Sequence, residues 1–454
     1  MLLLGLPCFA QDPLEHLIFP PAKPVMLPQI ERVVTTNKMK LYLTEDHTLP
    51  LIQMNIRIEA GTAYDPEDRV GLVSLATSLL RSGGTPNRKG EEIDEHLDSL
   101  GATMEIGADL YETTIALSSP AESFDAVLQL VSQILTRPAF PQSKLDQQRI
   151  YQRALIPERQ DSSANIAWRH FKTAVHGANS PIARRPTFES LEKITREDLV
   201  DFHKKYLVPG NSTIVLWGDF ETRKMVVEIN RAFNDWKGKK KQKEPVVHVT
   251  QEHTSVNLVR KEGSTQSAIL IGHTGTLLND PDLPALEILS DVLAGGSSGR
   301  LFRIIRSEKG FAYTVSGKFG AGLDYPPEFY VGAITRAETT TQCIRTLLHE
   351  IGRMRTEEVS DEEFRRAKES YVNSIPFQLD TTGKILNRIA VFETHGYPKD
   401  FHEKTKERIE NVTKENLLHV AQRRLNPDRL TIVVVGDDGL FAEPLSVFGK
   451  VTQR

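Results

Sequence analysis

One feature limits the fold of this chain more than any other: a long stretch of it occurs twice. Ile194-Thr-Arg-Glu-Asp-Leu199 is repeated as Val412-Thr-Lys-Glu-Asn-Leu417, and Thr213-Ile-Val-Leu-Trp-Gly-Asp219 as Thr431-Ile-Val-Val-Val-Gly-Asp437. Pro209 corresponds to Pro427, and every pair is 218 positions apart (412 − 194, 431 − 213, 427 − 209). Phe140-Pro-Gln-Ser-Lys-Leu145 and Val359-Ser-Asp-Glu-Glu-Phe364 repeat at a spacing of 219 (359 − 140). Matches in register over such a distance predict a duplicated fold, each copy a unit with its own core. At 454 residues the chain is too long for a single core, which agrees.

Each copy reads as strands, helices, strands, helices, closing on an apolar strand before Gly-Asp. In the first, alternation in Lys40-Leu-Tyr-Leu-Thr44 and from Ile52 to Ala60 predicts two strands. Helices follow from Gly71 and over Glu91–Leu100, then paired strands over Thr103–Ala108 and Glu112–Leu117. Further helices are expected over Ser123–Leu135, with Ser123 as N-cap, and Lys144–Leu155. The closing strands containing Val215 and Val433 are nearly continuous apolar runs, so both faces should be buried.

The expected divisions are an apolar, signal-peptide-like segment at 1–10, an extended proline-rich arm at 11–35 and a first domain at 36–234. A solvated basic linker at 235–247 and a second domain at 248–454 complete the chain. The Met1–Ala10 segment is too short to span a bilayer and suggests periplasmic or other export of a chain with no membrane span. A net charge of −4 without a basic stripe argues against a nucleic-acid partner. Two cysteines, Cys8 and Cys343, support neither a disulfide framework nor thiol chemistry.

The second copy carries Gly295-Gly-Ser-Ser-Gly-Arg-Leu-Phe-Arg-Ile-Ile-Arg-Ser-Glu-Lys-Gly-Phe-Ala-Tyr-Thr-Val-Ser-Gly317. It predicts a loop with Ser298 as N-cap, an amphipathic helix over Arg300–Lys309 and a stop at Gly310. A strand follows in which Phe311, Tyr313 and Val315 alternate with smaller residues. Arg306 in the last helical turn and Tyr313 on the strand are thereby aimed at one point.

From Arg300 to Ser316 this stretch resembles the signature R-L-F-x-x-x-R-x-x-x-G-x-A-Y-x-V-S of the insulinase (pitrilysin-like, M16) zinc peptidases. The resemblance covers nearly the whole chain from about residue 30. It implies an α+β fold: two homologous halves, each a mitochondrial-processing-peptidase-like α/β sandwich, arranged as a clam shell. It also implies that Arg306 and Tyr313 bind the substrate backbone near a zinc ion. Active members carry H-x-x-E-H within G-L-A-H-x-x-E-H-x-L-x-x-G-T. Here Gly71-Leu-Val-Ser-Leu-Ala-Thr-Ser-Leu-Leu-Arg-Ser-Gly-Gly-Thr85 stands in that place, with Ser74 and Ser78 at the ligand histidines and Thr77 at the general base. Leu72, Leu75, Ala76 and Leu79 form its apolar face, and Ser74, Thr77, Ser78 and Arg81 the opposite one. The family's glutamate ligand falls at Leu155, and a second glutamate at Gln148; a slip of three positions would bring in Glu158.

Hydroxyls and a leucine make a poor donor set for zinc, and water activation requires the metal. None of the thirteen histidines has another three or four positions away, and His248 and His253 read as surface residues. The resemblance is therefore to the zinc-less, Arg/Tyr-bearing subunit of bacterial two-chain members. It implies no cofactor in this chain, a zinc-bearing partner with an intact H-x-x-E-H motif, and unfolded or short peptides as substrates. A purely structural or peptide-binding relative without proteolytic role is the alternative.

Overall fold

Alternating apolar residues in Leu51–Ile58 build a strand in which Ile52, Met54, Ile56 and Ile58 all point into a core. A computed structural model describes residues 27–158, 162–239 and 253–454. The signal-like segment 1–10, the arm up to residue 26, residues 240–247 of the linker and His248 lie outside the described residues. The first sheet contains β1 (Glu31–Val34), β2 (Lys40–Glu45), β3 (Leu51–Ile58), β4 (Thr103–Ala108), β5 (Thr113–Pro120) and β6 (Ser212–Gly218). They lie side by side as β1-β2-β6-β3-β5-β4.

The second sheet repeats the plan with β7 (Ser255–Arg260), β8 (Gln266–Thr274), β10 (Ala312–Phe319), β12 (Glu328–Arg336), β13 (Thr431–Gly436) and β14 (Val451–Gln453), and the short strands β9 (Thr276–Leu277) and β11 (Ala321–Gly322) form a separate parallel pair. Its order is β10-β12-β8-β13-β7-β14. β6 is parallel to β2 and antiparallel to β3, just as β13 is parallel to β7 and antiparallel to β8. The repeated words therefore occupy equivalent central positions. Thr195 and Thr413, the other repeated word, each begin a helix, their hydroxyls accepting from Asp198 N and Asn416 N at 3.2 Å. This is the two-half α+β arrangement expected from the repeat.

Each half lends a helix to the other. The Ser163–His176 helix belongs in sequence to the first half, yet Ile166, Ala167, Phe171 and Val175 pack with Ala268, Leu270, Val433 and Val435 of the second sheet. Reciprocally, Ile385, Leu386, Ile389 and Ala390 of the Thr382–Thr394 helix pack with Tyr42 and Val215 of the first. Val215 and Val433 are fully buried, as their apolar strands require, but each faces the borrowed helix. Val215→Ala or Val433→Ala should cost about 1–3 kcal/mol through lost burial and a cavity. An unchanged urea midpoint for both variants would contradict the repeated fold.

The described end of the arm is extended and paired: Glu31–Val34 runs antiparallel to β2, and Arg32 donates to Glu393 at 2.8 Å on the borrowed helix. One expectation is corrected: the basic stretch does not begin as a solvated linker. Trp236 is buried in the first core and its indole N–H donates to Leu207 O at 3.0 Å, which anchors the chain where its charge alone suggested solvent. Ser123 does precede the Phe124–Thr136 helix, but its side chain makes no capping hydrogen bond.

Candidate functional site

The helix Leu72–Ser82 keeps the scaffold of a site and lacks its ligands. Asp65, itself buried, accepts from Gly71 N (2.9 Å) and Val73 N (2.8 Å), fixing the first turn. Burial pushes its carboxyl up to about 6, against the opposing pull of these backbone donors. Leu72, Leu75, Ala76 and Leu79 enter the core as expected. Thr77 departs from the expected polar face: it is buried, and its hydroxyl donates to Val73 O at 2.9 Å. The hydroxyl thus satisfies itself on the preceding turn, which lets the side chain be buried.

Ser78 likewise donates to Leu75 O at 3.0 Å, and Ser74 and Ser78 are half-buried. Arg81 donates to Asp94 (2.6 Å) and to the Met104 carbonyl, tying this face to the neighbouring helix and to β4. The Gln142–Glu158 helix packs alongside, bringing Gln148 and Leu155 in as half-buried neutral residues; the Glu158 side chain lies outside the described residues. Among the described residues, no group of three or more His, Cys, Asp or Glu is arranged to hold a metal ion.

Arg306 and Tyr313 are brought together on the other half. Gly295 follows the Leu283–Ala294 helix and approaches it so closely that a Cβ would collide with the Asp291 carbonyl oxygen. Ser298 is no N-cap: it sits in a short 3-10 turn, Gly296–Ser298, and its hydroxyl donates back to Gly295 O at 3.2 Å. The helix that follows is wider than expected. Phe302–Glu308 forms a π-helix with Ile304 and Ile305 buried, and Lys309 N reaches Ile304 O at 3.0 Å. Gly310 ends it at φ +60°, the left-handed stop its sequence position suggested.

Tyr313 then falls on a β-bulge. Ala312 pairs with Thr335 and Thr314 with Ile334, leaving Tyr313 as the extra residue between them. The bulge breaks the expected alternation and turns the ring outward, 78% exposed. The Arg306 guanidinium carbon lies 4.4 Å from the Tyr313 ring centre and 4.7 Å from that of Phe302. Among the described residues nothing accepts a hydrogen bond from Arg306, and the nearby carboxylate Glu308 is held by Arg303 at 2.7 Å. A stacked guanidinium and a free phenol thus present donors to whatever occupies the edge of β10.

Two residues that sequence reasoning missed hold this unit in place. Arg300, 3% exposed at its side chain, donates through Nε and Nη2 to the two oxygens of Glu363 at 2.7 and 2.8 Å. Glu363 also accepts from Ser360 N at 3.1 Å at the head of the Asp361–Gln378 helix, a capping box. The signal was available, since Arg300 opens the signature and Glu363 lies in the repeated word Val359–Phe364.

The Leu72–Ser82 helix that carries Ser74 and Ser78 packs beside β4, the edge of the first sheet, whereas Tyr313 sits on β10, the edge of the second, and Arg306 on the π-helix that leads into it. Two half-folds, one with a ligand-less zinc-type helix and one with an exposed Arg–Tyr pair, define a class. A model of the insulinase family (peptidase family M16) matches residues 41–179, and a model of the peptidase M16 inactive domain matches residues 193–371. The chain belongs to the M16 family.

Its relatives are distant. The non-peptidase homolog YmxG of Helicobacter pylori is 22% identical over 405 residues, covering 88% of this chain and 92% of that protein. A peptidase M16 inactive domain from Pseudomonas fluorescens has a TM-score of 0.82 at 21% identity, over 92% of this chain and 100% of that one. The first half of the periplasmic protease PqqL from Escherichia coli gives 0.74 at 15%, over 91% and 94%. At such identities these structures share the fold. No helix among the described residues is long and apolar enough to cross a membrane.

Proposed function

We propose that this chain is a non-catalytic M16 subunit that presents Arg306 and Tyr313 to a peptide, while a zinc-bearing M16 partner with H-x-x-E-H supplies the metal and the hydrolysis. The observation that carries this reading is the unneutralised Arg306 guanidinium stacked on an exposed Tyr313, on a chain whose zinc-type helix offers only hydroxyls. A cation left without a carboxylate fits an acceptor brought by a ligand, and donors aimed at a scissile carbonyl assist from outside the metal's coordination sphere. The Helicobacter pylori relative described as a non-peptidase homolog supports the non-catalytic part.

Short or unfolded peptides are the substrates proposed, and the apolar Met1–Ala10 segment supports export to the periplasm or beyond. A purely structural subunit has no use for an unpaired arginine beside a phenol on a sheet edge, which favours the catalytic complex. The test is affinity purification from the native host. A co-purifying M16 chain with H-x-x-E-H, giving peptide hydrolysis in the complex, is the expected result. Recovery of this chain alone or with non-M16 proteins would contradict it.

A further inference from the structure

Arg306 is held by more than the residue it was paired with in the sequence. Its guanidinium carbon is within reach of two rings, 4.4 Å from the centre of Tyr313 and 4.7 Å from that of Phe302. Both distances are inside the range in which an aromatic face attracts a cation, and guanidinium stacks flat on such faces. The two rings come from separate backbone irregularities. Phe302 opens the π-helix that carries Arg306 four positions on, and Tyr313 is the extra residue of the β10 bulge.

Phe302 is half-buried, while Leu301 before it and Ile305 after it are fully buried. Its ring is thus more sheltered than that of Tyr313, which is 78% exposed. Arg303 engages Glu308, the carboxylate of this helix, at 2.7 Å.

We infer that Phe302 is a positioning residue for Arg306: its half-buried ring, with that of Tyr313, restrains the guanidinium so that its N–H groups are presented to a planar acceptor, a peptide carbonyl or carboxylate. The inference rests on the proposed function for its effect on hydrolysis, but not for its effect on Arg306 itself. A free arginine side chain samples many rotamers, and each immobilised on binding lowers affinity. A guanidinium ordered beforehand avoids that loss.

Two measurements decide it, both on the full chain. In protein labelled with 15N-arginine, relaxation of the Arg306 Nε–H reports its order directly. Phe302→Leu, which keeps an apolar side chain but removes the ring, should mobilise this group, and Phe302→Tyr should leave it ordered. An equally ordered Nε–H in wild type and Phe302→Leu overturns the inference. In the complex with the zinc-bearing subunit, Phe302→Leu should lower kcat/KM by about three- to tenfold, Phe302→Tyr should restore it within about twofold, and Phe302→Leu should add almost nothing to Arg306→Ala.

A structural role would give the same loss in both backgrounds, and that outcome also overturns it. If Arg306→Ala itself leaves hydrolysis unchanged, the proposed function falls, and the Nε–H relaxation still decides the role of Phe302.

Discussion

Arg306→Ala, assayed in the complex with the zinc-bearing subunit, is expected to lower peptide hydrolysis by about 10²–10³. The loss should fall mainly in kcat, with some added loss of affinity, because an unpaired guanidinium serves both to seat the peptide and to stabilise charge developing on its carbonyl. Tyr313→Phe should act in the same direction through kcat alone, since only a hydroxyl is removed. Neither variant should disturb folding or assembly: the Tyr313 side chain is 78% exposed, and no described residue accepts a hydrogen bond from Arg306. Size-exclusion chromatography checks assembly, and steady-state kinetics check the split between kcat and KM. Full activity in the double variant would leave only a structural role for this subunit.

The largest loss of stability should come from Glu363→Ala. This change strands the Arg300 guanidinium, 3% exposed at its side chain, without a counter-charge, at a cost of about 3–5 kcal/mol. The value should lie toward the lower end because Glu363 is itself half-buried. The capping box at Ser360 goes with it. Hydrogen bonds from Arg300 hold the Glu363 carboxyl down at about 2, well below its ordinary 4.5. A depressed carboxyl stabilises the fold fully above the unfolded value, near 4.5, and that contribution fades as pH falls toward 2. Urea titrations should therefore show a wide gap between wild type and Glu363→Gln at pH 7 that narrows between pH 4.5 and 2. A gap that stays constant, or widens, would remove the ion pair from the account.

The repeat and the signature made much of this legible in the sequence. Two words at one spacing located β6 and β13 and the two Thr-capped helices, because caps and buried central strands tolerate few residue types. The M16 membership read from Arg300–Ser316 and Gly71–Thr85 holds. What stayed hidden depends on partners far along the chain. Ile166, Phe171 and Val175 mark an apolar helix face, but hydropathy does not say that the face belongs on the opposite half's sheet. The π-helix has apolar residues at the same spacings as an α-helix, so Phe302–Glu308 reads as an ordinary helix. Tyr313 reads as one step in a regular strand because a bulge changes pairing, not composition. Trp236 lay among lysines, and only the first core shows why it is buried.

The central claim is that this chain lends an arginine and a tyrosine to a zinc ion it does not hold. Metal content and turnover, measured together on the isolated chain and on its complex after dialysis, test it most directly. The account predicts no tightly held zinc and no peptide hydrolysis for the chain alone, and in the complex both hydrolysis and a zinc retained by the partner. One zinc per chain with turnover in the isolated protein would contradict it.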